Sequence, residues 1–599
     1  MNVTLHRILW PFGLVAVAGC GDLALNPGQR PAKLELTPQD TLMTAGDAAR
    51  LEILVFDRDD NPLPGPPSWA PPTWEWTDSG AVEITTDGRL QTHTGGDLRV
   101  TARLAGLSTW TGLRINPSSI VLTASSIYFN QVIQEPEGSV PLIAGRPAFM
   151  RIFATGDEVS FYQLSVRAEL YRDGEVVQSA VMPSRSDVLL NEIDESTLDR
   201  SFNMEIPAEL IHPGLEFVVE LDTENTVPKA PGSVTRYPAD GATPLDIIEM
   251  PVFQQTFVPT LLNRNPDHRV FNWVKDIGPD SDQLEVTRTL LPIGEMEVFV
   301  HDTFYTDANL TTDSGWQEYL REVRAVWNME GKKGYYYGVV IVPSGSPWGG
   351  YGFLDGTHVS VGAPNPDTYA HEVGHNMTLR HAPCGGAGGP DPRFPSSHGS
   401  IGRWGYDFKN SRLISPGQYK DLMGYCSPNW VSDYHFKKAM DHRLATNETP
   451  VAAAAAEQTL MLWGSANSDE VLLEPAFLVE AVPDVPVGGG AWRLTGVGPG
   501  GERRFDFGFT PSAVDHGGAS FMFNVPYDPE RDGALESVVL SGPGGEATLS
   551  RSGKPPMAII RNRANGQVRA ILRDWAGGFT RVAGDVEIMV SDGLPGGGS

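Results

Sequence analysis

Positive charge, cysteine and long apolar runs are all scarce in this chain. Across 599 residues, Lys and Arg number 45 against 74 Asp and Glu, a formal net charge of -29. Such a surface repels a phosphate backbone, which argues against nucleic acid as a partner. The apolar stretch near the amino terminus, Ile8 to Val17, is too short for a spanning helix, which needs about 20 such residues. Cysteine occurs only as Cys20, Cys384 and Cys426. Hydrophobic residues make up 40% of the chain, enough to bury several cores, and the length suggests about four domains. The 65 Gly and 48 Pro suit strands and turns better than helical bundles.

What is present centres on His371-Glu372-Val373-Gly374-His375-Asn376-Met377-Thr378-Leu379-Arg380-His381. Residues four apart on a helix face the same way, so His371 and His375 can grip one metal ion from successive turns. Glu372 lies one step round, beside the metal, where a general base takes a proton from an activated water. His381 is too far along for a straight helix and joins only if the chain turns soon after Met377. Three imidazoles with an open fourth position describe catalytic zinc, Zn2+, and not a closed structural site. A thermolysin-like arrangement needs a glutamate on a following helix, but none occurs between Glu372 and Glu448.

The amino terminus has a basic Arg7, the short apolar stretch, then Ala18 and Gly19 before Cys20, the pattern of an export signal. Val17-Ala18-Gly19-Cys20 resembles the lipobox of bacterial lipoproteins, in which the cysteine is lipidated. The resemblance implies an exported protein held on a lipid bilayer through Cys20. With Gly21 in place of a retaining aspartate, it implies the outer membrane or surface of a Gram-negative bacterium. In that oxidising compartment the remaining pair, Cys384 and Cys426, is expected to form a disulfide.

The expected fold is multidomain. Residues 1–19 form the signal peptide and 20–32 a tether. Residues 33–117 read as a β-sandwich, because Leu51, Ile53 and Val55 alternate, as does Trp74-Glu75-Trp76, between turn signals. This module resembles the bacterial immunoglobulin-like domains of the invasin and intimin kind. Residues 118–247 give a second β-rich domain, in which Arg146 precedes a strand and reads as a solvent-facing or structural turn residue in preference to a ligand contact. Residues 248–447 give a central α/β domain that carries the metal-binding motif. There Ser314 to Gln317 has capping-box spacing, Trp316, Leu320, Val323 and Trp327 recur at helical intervals, and Tyr335–Val342 reads as a central strand. Thr357–Val361 is expected as a strand, and Asp367 as the cap of the metal-binding helix. After a linker at Ala452–Ala456, residues 452–599 give a C-terminal β-rich domain with a supporting role.

H-E-x-x-H-x-x-x-x-x-H followed by Asp421-Leu422-Met423-Gly424-Tyr425-Cys426 resembles the metzincin clan of zinc metallopeptidases. Within it, H-E-V-G-H-N and the flanking β-domains look most like the secreted mucin-degrading metalloproteases of enteric bacteria. The resemblance implies that His371, His375 and His381 bind zinc and that Glu372 is the catalytic base. It also implies that Met423 forms an apolar floor, that Tyr425 approaches the metal or the oxyanion, and that the strand Thr357–Val361 is an edge able to pair with an extended substrate. One departure is Thr378, where the clan usually has glycine. A β-branched residue in a left-handed conformation costs on the order of 1 kcal/mol, so either the turn is built differently here or His381 does not bind, with His398, Asp391 and His358 as rivals for the third ligand. The function so implied is a zinc-dependent endopeptidase acting on extracellular proteins or glycoproteins. The alternative is a surface adhesion or glycan-binding protein with an inactive peptidase-like domain. Oligomeric state is not readable.

Overall fold

The computed structural model describes residues 30–65, 71–446, 455–468 and 470–595. The export signal, Cys20, most of the Ala452–Ala456 linker and the final glycines lie outside the described residues. The protein is multidomain and mostly β, and its contacts group it into two compact units. The first holds the residues up to Ile127 with Arg151–Met204 and Glu216–Pro244. The second holds Tyr128–Met150, Glu205–Leu215 and everything from Leu245 onwards.

In the first unit the period-two pattern becomes buried and exposed faces. Leu51, Ile53 and Val55 are buried while Glu52 and Leu54 face solvent, and the strand Glu52–Phe56 pairs antiparallel with Lys33–Thr37. Gly96–Leu104 and Leu107–Asn116 form a long hairpin, with Thr73–Trp76 and Thr41–Thr44 on its two sides. Leu36, Val100, Leu113 and Ile115 fill the core between these sheets. Further on, Ser165–Arg172 sits between Glu175–Pro183 and Glu216–Leu221 in an antiparallel sheet.

The second unit is organised by a nine-stranded sheet. Its strands are β1 (Phe253–Leu262), β2 (Met296–Val300), β3 (Phe304–Thr306), β4 (Tyr335–Val340), β5 (Gly350–Gly352), β6 (Val359–Gly362), β7 (Met557–Asn562), β8 (Val568–Leu572) and β9 (Val586–Ser591). The order is β5-β6-β4-β1-β3-β8-β7-β9, with β2 also on β1. β1, β2, β3, β4, β6 and β8 run parallel, whereas β5 is antiparallel to β6 at the edge. Every residue of β4 is buried, as a strand covered on both faces requires. The sheet therefore runs across the boundary expected near residue 450. β8, expected within a separate supporting domain, pairs Tyr305 with Ala570.

Helix α1 (Asp313–Met329) packs Trp316, Leu320 and Val323 into a core with Val258, Tyr336 and Val361. Its cap is Thr312, whose hydroxyl accepts from the Gly315 N–H at 3.2 Å, and not Ser314 as the spacing suggested. Gly315 explains the shift, since a Cβ there would meet the Asn309 carbonyl oxygen at 2.0 Å, so that the chain before α1 folds tightly over its first turn. Arg146 is structural: its buried guanidinium donates to the carbonyls of Leu291 and Thr289 at 2.8 and 2.7 Å. No described helix is long and apolar enough to cross a membrane.

Candidate metal centre

Helix α2 (Pro366–Asn376) carries the first half of the site. Its cap is Asn365, whose side chain accepts from the Thr368 N–H at 3.0 Å, two residues earlier than the expected Asp367. Pro366 at the first helical position has no N–H to satisfy and a preset φ, so the helix starts there. Tyr369, Ala370, Val373 and Met377 face the core, which turns His371, Glu372 and His375 toward the sheet edge.

The helix ends in a left-handed turn. Thr378 sits at φ 64°, the Leu379 N–H reaches the Gly374 carbonyl at 3.1 Å, and the Thr378 N–H reaches that of His375 at 2.9 Å. These two bonds are the Schellman pattern usually closed by glycine. The differently built turn expected from Thr378 does not form: the chain takes the left-handed turn with a β-branched residue, and that turn brings His381 back to the other two histidines.

The ligating nitrogens of His371, His375 and His381 lie within 4.8 Å of one another, and all three side chains are buried. Each ring has its Nδ1 against a backbone carbonyl: Leu422 at 2.9 Å, Leu379 at 2.7 Å and Gly388 at 2.6 Å. A carbonyl only accepts, so Nδ1 carries the proton on all three rings and Nε2 keeps its lone pair. The Nε2 atoms of His371 and His375 are buried without a hydrogen-bond partner. Burial lowers the affinity of these rings for a proton, and the neighbouring histidines lower it further for His371, to about 4, and for His375. Three neutral, pre-oriented imidazoles with converging lone pairs fit a divalent metal of the zinc class.

Glu372 is buried with its Oε2 unpartnered. Burial, and then the nearby Asp515, push its carboxyl well above the ordinary range. The edge strand β5 accommodates it through glycines. A Cβ at Gly350 would lie 2.4 Å from the Glu372 Oε1, and one at Gly352 would lie 3.1 Å from Oε2.

Met423 is fully buried and approaches α2 at Gly374, where a Cβ would meet its sulfur at 2.6 Å. The turn around it is fixed by Asp421, which accepts from the Met423 N–H, from the Ser432 N–H and hydroxyl, and from the His435 Nδ1. Tyr425 places its hydroxyl 3.2 Å from the His381 Nε2. Cys384 and Cys426 form a disulfide that ties the loop after His381 to this turn.

The rivals for the third ligand lie elsewhere. Asp391 accepts from the Lys438 Nζ and the Tyr434 hydroxyl, and His358 stacks on Tyr335. His398 is not in the metal-ligating group. Thr357–Val361 does not form the free edge: β6 lies between β4 and β5, and all of its residues are buried. Two site residues were not foreseen, Asp515 and His516, which reach the centre from far along the chain. Nothing local in Asp515-His516-Gly517-Gly518 marks it as more than a turn.

This is a buried three-histidine group with an adjacent carboxylate, the donor set of a metallopeptidase. The family model of peptidase M66 matches residues 325–444, which supports a metallopeptidase function in general. No curated protein matches the chain. Among solved structures, the titin Ig tandem domains A164-A165 are 12% identical, covering 36% of this chain and 97% of that one at a TM-score of 0.18. The S-layer protein rSbsC(31-844) is 10% identical, with coverage of 37% and 29% and a TM-score of 0.17. Neither likeness bears on the site.

Proposed function

We propose that the chain is a zinc-dependent endopeptidase of metzincin type. The observation that carries this reading is the convergence of three Nε2 lone pairs beside Glu372, whose Oε2 is buried and unpartnered. His371, His375 and His381 would hold the zinc. Bound there, zinc supplies Lewis acidity to the scissile carbonyl and to water. Glu372 takes the proton of the attacking water and delivers it to the leaving amine. Its desolvated surroundings raise its basicity for the first task. The Tyr425 hydroxyl, half-exposed at the mouth of the site, is placed to donate to the oxygen on which negative charge develops. Met423 and the Asp421 turn keep the floor rigid, so that the histidines do not reorganise during turnover.

The substrate class we favour is an extracellular protein or glycoprotein. It rests on the export signal and on the resemblance to mucin-degrading metalloproteases. We further propose anchorage to the outer membrane of a Gram-negative bacterium through lipidated Cys20, on the strength of Val17-Ala18-Gly19-Cys20.

The test is chelation and reconstitution of the full chain against a panel of peptides, folded proteins and O-glycosylated proteins. Activity lost on chelation and regained with one equivalent of zinc is expected. A chain that carries zinc yet cleaves nothing, while binding glycans or cell surfaces, would replace this reading with the adhesion one.

A further inference from the structure

The segment that delivers Asp515 is laid directly on the edge of the catalytic sheet. The Leu354 N–H donates to the Ala513 carbonyl at 2.9 Å, and Phe353 and Val514 form an antiparallel bridge. The Asp515 N–H donates to the Gly352 carbonyl at 3.1 Å, while the Gly352 N–H donates to the Asp515 Oδ1 at 2.8 Å. The chain thus extends β5 with a strand of its own and carries a turn, Asp515 to Gly518, to the metal centre. Asp515 is 2% exposed and its Oδ2 makes no hydrogen bond. That oxygen lies 3.9 Å from the His375 Nε2, and the two residues form a cluster with Glu372.

His516 follows at φ 57°, a conformation uncommon for a residue with a side chain and costly unless its surroundings fix it. Here they do. Its ring stacks on Trp348 with centroids 3.7 Å apart, and its Nε2 lies 2.9 Å from the Asp515 Oδ2, although off the hydrogen-bond axis. An unprotonated ring nitrogen this close to a carboxylate oxygen is repelled even off that axis, so the proton belongs on Nε2. Nδ1 is then an acceptor, and it lies 3.4 Å from the Tyr425 hydroxyl.

Tyr425 therefore has two ring nitrogens within reach, the His381 Nε2 at 3.2 Å and the His516 Nδ1 at 3.4 Å. A metal on His381 uses the first lone pair, and the phenolic hydrogen must then find another acceptor. We propose that Asp515 and His516 are positioning residues of the catalytic centre, with His516 taking over the Tyr425 hydroxyl once His381 holds the metal. The hydroxyl stays at the mouth of the site, ready to turn onto the substrate's carbonyl oxygen. This rests on the zinc-peptidase reading above. It makes the region after residue 452 part of the catalytic centre and not only a support.

The test uses the full chain. His516→Gly removes the ring and suits the left-handed backbone, while His516→Asn tolerates that backbone and restores an acceptor oxygen. Zinc per chain, thermal unfolding, kcat and KM for a cleaved reporter peptide, and calorimetric affinity for a phosphinic analogue of that peptide are measured. His516→Gly is expected to keep one zinc and the wild-type melting curve. It should lower kcat about 10- to 100-fold and weaken the phosphinic analogue, with partial recovery in His516→Asn. In a Tyr425→Phe background, His516→Gly should change neither quantity further. Full additivity of the two substitutions, or an unchanged kcat and analogue affinity in zinc-loaded His516→Gly, overturns the proposal. A wild-type chain without zinc or cleavage overturns the underlying reading instead, and is recognised before any variant is made.

Discussion

The His375 Nδ1 donates to the Leu379 carbonyl at 2.7 Å, closing a loop whose only route passes through the left-handed Thr378. The same short turn ends the helix, fixes the tautomer of the second histidine and sends the chain toward the third. Thr378→Gly should therefore be tolerated and should stabilise the protein by up to about 1 kcal/mol, the left-handed penalty less the added freedom of the unfolded chain. Denaturant unfolding with zinc content measured in parallel checks this. A loss of stability would mean that the threonine side chain contributes more than its backbone costs.

Gly350 lets the edge strand close over the Glu372 carboxylate. Gly350→Ala would set a Cβ 2.4 Å from the Glu372 Oε1 and must displace that side chain. Zinc binding should survive, because no ligand moves, while kcat falls by roughly 10²-fold, as for a misplaced general base. Full activity in the alanine variant would show that Glu372 is free to sit elsewhere.

Asp421 anchors the turn under the histidines. Burial pushes its carboxyl up, but His435, Ser432 and the Met423 N–H outweigh that and hold it below its usual value of 3.8. A carboxyl depressed in the folded state contributes stability that is present above the unfolded pKa and is lost as pH falls through the folded one. Asp421→Asn should cost about 3 kcal/mol at neutral pH, and much less once acid has protonated the wild-type carboxyl. Urea midpoints between neutral pH and the acid limit of folding give the comparison. A difference independent of pH contradicts the assignment.

Cys384 and Cys426 close a loop with a sequence separation of 42. Replacing both with serine should lower stability by about 4 kcal/mol in the chain-entropy model. Calorimetric or denaturant unfolding of protein produced under oxidising conditions measures it. Non-reducing peptide maps that find two free thiols would contradict the bridge itself.

How much of this was legible in the sequence follows from the range of each interaction. The i, i+4 histidines, the buried Tyr335–Val340 run and the alternation of Leu51, Ile53 and Val55 are local patterns, and each appears as an element of the structure. The helix caps were displaced by two positions because Thr312 and Asn365, not Ser314 and Asp367, reach the free N–H groups. Thr378 left two outcomes open because propensity states a cost, and the packing of Leu379 and Met423 decides whether the cost is met. The pairing of Val514 with Phe353 and of Ala570 with Tyr305 is long-range and leaves no periodic trace. For that reason the sequence suggested a separate support where the sheet and the metal centre are in fact completed.

The proposal on which the others depend is a catalytic zinc held by His371, His375 and His381 beside Glu372. It is tested most directly by zinc stoichiometry paired with peptide hydrolysis in Glu372→Ala and His381→Ala of the full chain. Glu372→Ala removes the base but no ligand, so one zinc per chain should remain while hydrolysis falls by orders of magnitude. His381→Ala should lose zinc affinity and rate together. If His381→Ala instead keeps full zinc and full activity while His398→Ala loses both, the third ligand is wrong, and the metzincin reading falls with it.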